Sequence, residues 1–175
     1  FGRGWRMDHS PFMLCGGEGA EGLILHGSTA RHFGGAQYYT YANDQMRCGM
    51  IVCAFQLADT NEGDGGFCCI PGSHKSSYKT PRRIQDHPED APQVVIPPAP
   101  AGSVIVFTEA LTHGTSAWNA AHQRRALLYK YSVSHVVWID DRVKAPEGIE
   151  LSERQQILLK DPGDPDRHFP SLFAD

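Results

Sequence analysis

The chain has 175 residues, enough for one domain with a core of its own, and a net charge of −4 with histidine neutral. Lysine and arginine are spread thinly, so no basic stripe marks a nucleic-acid site, and no apolar run approaches the roughly 18–20 residues of a membrane span. Five cysteines without C-x-x-C spacing argue against a zinc knuckle and read as reduced, buried thiols of a cytoplasmic protein.

The opening Phe1-Gly-Arg-Gly-Trp5 reads like the middle of a longer protein, so we expect a segment ahead of it and treat 1–175 as a single domain. Gly22-Leu-Ile-Leu25 is an apolar strand run that delivers His26 at its end, whereas Arg31-His32-Phe33-Gly-Gly35 looks like a flexible turn. Tyr38-Tyr39-Thr40-Tyr41 alternates faces. Met50–Leu57 and Gly66–Ile70 are strands separated by the turn signals Asn61-Glu-Gly63 and Asp64-Gly-Gly66. Segment 76–100 is polar, Pro-rich and poorly periodic apart from Val94-Val-Ile96, and reads as a long surface loop of the kind that forms lids. Val104–Phe107 and Ala126–Ser132 are further strands. Ser152 with Gln155 three residues on is a capping box, and it opens a helix over Glu153–Leu159. The tail from Asp161 is turn-rich. With 18 Gly and 12 Pro punctuating short strands, the fold class is mainly β, a sandwich or barrel with few helices.

Two motifs carry chemistry. Ala101-Gly-Ser-Val-Ile-Val-Phe-Thr-Glu-Ala-Leu-Thr-His113-Gly-Thr brings a histidine to the end of a Gly-led strand, and Arg124 follows eleven residues later (124 − 113). Upstream stands Asp64-Gly-Gly-Phe-Cys-Cys-Ile-Pro-Gly-Ser-His-Lys75. Together these resemble the phytanoyl-CoA dioxygenase family of iron(II)/2-oxoglutarate oxygenases over roughly Leu23 to Ser132. The resemblance implies a double-stranded β-helix, a jelly-roll or cupin-like barrel, with a metal near one mouth. It implies Fe(II) as metal, 2-oxoglutarate as co-substrate and a small organic molecule as substrate, with no nucleic-acid or membrane partner. The oligomeric state is left open.

The same resemblance assigns His113 as one metal ligand and Arg124 as the partner of the far 2-oxoglutarate carboxylate, whose two oxygens fit the guanidinium fork. Arg125 should then point outward by strand alternation. The family's first ligand motif, His-x-Asp, aligns with His26-Gly27-Ser28, 87 positions before His113 (113 − 26), so Ser28 stands where a carboxylate is expected. Non-haem iron oxygenases use two histidines and one carboxylate on one face of the metal. Three readings follow. Glu109 replaces the acid, provided the backbone bends between it and His113, since i and i+4 lie about 13 Å apart along a straight strand. Or the position is vacant and a halide or water fills it, as in halogenase-like relatives. Or the metal site is weakened, and the barrel serves as a ligand-binding module. Asp44 and Asp64 sit in turn contexts, His32 and His74 are weaker metal candidates, and Gln37 or Tyr39 is a candidate for reaching the co-substrate. Trp118 is a candidate wall of the pocket.

Overall fold

In the computed structural model, residues 1, 4–27, 36–76, 78–140 and 142–163 are described. Ser28 and His32 lie outside these residues, as does the tail beyond 163. The strands are β1 (Trp5–Gly16), β2 (Leu23–His26), β3 (Tyr39–Ala42), β4 (Gln45–Cys48), β5 (Met50–Gln56), β6 (Gly66–Cys69), β7 (Val104–Thr108), β8 (His113–Ser116) and β9 (Arg124–Val133). Among the described residues two short α-helices, α1 (Arg82–Asp86) and α2 (Glu153–Leu158), and 3-10 turns at Ser73–Lys75 and Pro88–Asp90 join them.

All strand pairs are antiparallel. One sheet has the order β1-β9-β5-β7, the second β2-β8-β6, and β3 and β4 pair only with each other. The two larger sheets are open rather than closed into a ring, and they face each other as a jelly roll. β5 is the best sequence-signalled strand. Its alternation buries Met50, Val52, Ala54 and Gln56 on one face, as a half-buried central strand requires. Val52, Ala54, Phe107 and Leu111 form the core, with Phe67, Cys69, Ile105 and Leu128 packed against them.

Several expectations change in the structure. The first strand was not signalled, because polar Arg6, Asp8, His9 and Ser10 break its apolar pattern; it is nonetheless the longest strand and pairs with β9 along its length. Asn43 and Asp44 both take positive φ, 52° and 58°, which closes the β3–β4 hairpin in two residues. Segment 76–100 contains α1 and a short 3-10 turn over Pro88–Asp90, and is pinned by the bridges Cys69↔Val95 and Thr60↔Ala99. Cys68 is buried as expected, but Cys15 is exposed. The capping box forms as read: Ser152 Oγ accepts from the Gln155 N–H, and Gln155 Oε1 accepts from the Ser152 N–H at 2.9 Å. Among the described residues no helix is long and apolar enough to cross a membrane.

Candidate metal centre

His26 closes β2 and His113 opens β8, and the two are directly paired across the ladder. Cross-strand partners hold their Cβ atoms about 5 Å apart. Their rings accordingly lie with centroids 4.3 Å apart, tilted by 55°. In both, Nδ1 donates to a backbone carbonyl two residues earlier, at 3.0 Å to Ile24 and 2.7 Å to Leu111. A carbonyl can only accept, so each Nδ1 carries a proton and, in the neutral ring, Nε2 holds the lone pair. This is the tautomer a metal requires. Burial pushes the His113 pKa down to about 4, against the opposing pull of Glu109, so the ring is neutral at neutral pH. The Phe107 ring, centroid 4.6 Å from that of His113, shields it from water.

Both histidines are followed by glycine, and the structure gives the reason. A Cβ on Gly27 would stand 2.6 Å from the Leu111 carbonyl oxygen, and one on Gly114 would stand 2.6 Å from that of Leu23. The two strands approach this closely only without side chains there. We expect Gly114→Ala to destabilise the protein by roughly 1–3 kcal/mol through overpacking, measured by urea unfolding.

Glu109 does not sit in a strand. It lies in the turn between β7 and β8, closed by the Leu111 N–H donating to the Thr108 carbonyl at 2.9 Å. The bend that the expectation for Glu109 needed is therefore present, and Glu109 Oε2 comes to 4.0 Å from His113 Nε2. Its other oxygen meets Lys130 Nζ at 2.6 Å in an ion pair. Glu109 is almost fully buried. Burial alone would raise its pKa, but Lys130 and then His113 hold it below its ordinary value. Lys130 carries no motif; only the β5–β9 and β1–β9 registers bring it here. The donor atoms of His26, His113 and Glu109 are not all within 4.8 Å of one another. Among the described residues the one such trio is His87, Glu89 and Asp90, which is solvent-exposed.

These residues open onto a cavity of about 450 Å³ between the two sheets. Arg124, Ala126, Leu128 and Lys130, at every second position of β9, line it. Arg125 points outward, as alternation demands, and donates to Gln123. Arg124 Nε is buried with no hydrogen-bond partner. A partnerless guanidinium nitrogen lining the same cavity as the two imidazoles fits a bound carboxylate. Gly66, at φ +90°, sits against Arg124 in a backbone conformation that L side chains rarely adopt; a Cβ there would be in ordinary contact, 3.5 Å, with both Arg124 Nε and the Trp118 ring.

The remaining candidates lie elsewhere. Tyr39 meets His74 edge-on, ring centroids 4.7 Å apart, in a separate pocket that shares only Phe107 with the main cavity. Gln37 precedes β3 and does not line the cavity either. The physical reason is that β3 pairs with β4 alone and is not part of either facing sheet. Among the described residues segment 76–100 lines no part of this cavity, but α1 packs against β2 and Thr80 Oγ1 lies 3.1 Å from Thr112 Oγ1, next to His113. Trp118 is buried, donates to the His122 carbonyl at 2.7 Å and is not among the residues that line the cavity. Asp64 accepts from the Asn61 N–H at 2.7 Å and Asp44 accepts from the Tyr41 hydroxyl at 3.1 Å, so both are turn residues as read.

The phytanoyl-CoA dioxygenase (PhyH) family matches residues 25–126, more than half of the chain. The chain belongs to the PhyH family. That span contains His26, Glu109, His113 and Arg124. Among solved structures, HygX from Streptomyces hygroscopicus with nickel, 2-oxoglutarate and hygromycin B bound is 22% identical, with a TM-score of 0.65 over 81% of this chain and 62% of its own. HygX is also known with iron bound. AviO1 from Streptomyces viridochromogenes Tue57 is 18% identical, with a TM-score of 0.52 over 70% of this chain and 50% of its own. SnoK, a non-haem alpha-ketoglutarate-dependent carbocyclase from nogalamycin biosynthesis, is 16% identical, with a TM-score of 0.55 over 77% of this chain and 52% of its own. These likenesses establish the fold. The chain spans about three fifths of the length of HygX. No curated protein sequence matches it.

Proposed function

We propose that this PhyH chain forms the core of a non-haem iron(II)- and 2-oxoglutarate-dependent oxygenase acting on a small organic molecule. The observation that carries the reading is the pairing of His26 with His113, both with Nδ1 tied back, over a cavity whose Arg124 has a buried nitrogen without a partner. HygX, which shares the fold, holds nickel and 2-oxoglutarate.

In this reading His26 and His113 donate Nε2 to iron, and Glu109 supplies the third donor through Oε2. Lys130 holds Oε1, so the carboxylate is oriented by a charged partner. Drawing Glu109 and the two rings together is the adjustment that binding requires. Arg124 receives the far carboxylate of 2-oxoglutarate. Bound iron would supply the activation of O₂ at the expense of 2-oxoglutarate. Val52, Ala54, Phe67 and Phe107 wall the cavity and keep water from the reacting atoms.

Anaerobic addition of Fe(II) and 2-oxoglutarate should produce a weak visible metal-to-ligand charge-transfer band, lost in His26→Ala and His113→Ala. No band at saturating iron, with the protein folded, overturns the reading. Arg124→Leu should raise the 2-oxoglutarate concentration for half-maximal band intensity about 10- to 100-fold, the worth of a charge-assisted hydrogen-bond pair, and leave Fe(II) affinity unchanged.

A further inference from the structure

β1 runs regularly against β9 except at two places, where the register slips between Met7 and His9 and again between His9 and Phe12. In an unbroken strand Asp8 and His9 would face opposite sides. The slips change this, and bulges of this kind re-aim side chains beside functional sites. Asp8 is fully buried and uses one oxygen, Oδ1, for Arg6 Nη1 at 2.8 Å, the Trp138 N–H at 3.1 Å and Ser132 Oγ at 3.4 Å. Its other oxygen stands 2.8 Å from His9 Nδ1, an oblique contact between the two groups. His9 is paired in register with Lys130 and lines the same cavity. With Nδ1 turned to the carboxylate, Nε2 is the nitrogen left to a bound molecule, and among the described residues it has no protein partner.

No step assigned to His26, Glu109, His113 or Arg124 uses this pair. Phe12, Leu14, Leu128 and Ile139 line the cavity as well. In such a pocket a few fixed polar groups set the orientation of the occupant. A neutral imidazole whose Nδ1 carries the proton presents Nε2 as an acceptor.

We infer that His9, braced by Asp8, hydrogen-bonds and orients the organic substrate, a small and largely apolar molecule bearing a hydroxyl group. This rests on the oxygenase reading for the word substrate, but the binding event is measurable without iron.

The test uses two matched probes on the metal-free protein, cyclohexanol and its methyl ether, methoxycyclohexane, titrated by NMR. Wild type should prefer the alcohol about tenfold, since one buried hydrogen bond is worth about 1–1.5 kcal/mol. His9→Leu should lose that preference while binding the ether as before, and His9→Gln, which keeps an acceptor, should restore part of it. Equal affinities in the wild type, a preference that survives in His9→Leu, or failure of both probes to bind would overturn the inference. The charge-transfer titration runs in parallel on wild type and His9→Leu. Loss of the band in both strikes the oxygenase reading alone, whereas a band retained beside an absent alcohol preference strikes His9 alone.

Discussion

Glu109→Ala should bind Fe(II) at least about 100-fold more weakly than the wild type, measured by anaerobic calorimetric titration. Partners that merely orient a ligand cost 10- to 100-fold when removed, and a lost ligand costs no less. The change also leaves Lys130 in the cavity without its carboxylate, 2.6 Å away in the parent, so a cation would meet an uncompensated ammonium. Lys130→Met separates the two effects. It keeps the carboxylate and removes its anchor, so its loss of affinity should be smaller than that of Glu109→Ala. An unchanged affinity in Glu109→Ala would remove Glu109 from the metal and favour a vacancy filled by a halide or water.

Asp8→Ala should lower the unfolding free energy by about 3–5 kcal/mol at pH 7, read from urea denaturation, because breaking a buried charge pair costs that much. The Asp8 carboxylate is fully buried and serves Arg6, His9, Ser132 and Trp138 together. Its pKa follows from the same contacts. Burial alone would raise it, but His9, the Trp138 N–H and Arg6 hold it below the ordinary value of 3.8. A group whose folded pKa is depressed stabilises the fold fully above its unfolded pKa and loses that contribution as pH falls through the folded value. The gap between wild type and Asp8→Ala should therefore be constant from pH 7 down to about 5 and narrow progressively below 3.8. A gap that stays constant into the acid range would mean that the lost packing, not the carboxylate charge, sets the cost.

How much of this was legible follows from where each interaction comes from. β5, β7 and β9 announce themselves as local apolar runs, and α2 carries its own cap. His26, His113 and Arg124 sit at strand ends marked by glycine and by a fixed spacing, so local sequence places them. Glu109 is visible as an acid beside an apolar run, but the turn that swings it toward His113 depends on β7 handing over directly to β8. Lys130 and His9 carry no local signal at all. They reach the cavity through the pairing of β9 with β1, whose partners are more than a hundred positions apart, and with β5, whose partners are 70 to 82 apart (126 − 56 to 132 − 50). β1 itself escapes a periodicity reading because its buried positions near the start are Arg6 and Asp8, polar groups that pair with one another. Composition marks 76–100 as loop-like, but it does not show the two backbone bridges and the packing of α1 on β2 that tie the segment to the barrel.

β2 lies at the outer edge of its sheet, held to β8 through the pairs Leu23↔Thr115 and His26↔His113. A cation shared by the two imidazoles would act there as a rivet, fastening a short border strand to its neighbour. Amide hydrogens of β2 should then exchange with deuterium markedly more slowly once the cation is added, while those of β5, already enclosed between β9 and β7, keep their rates.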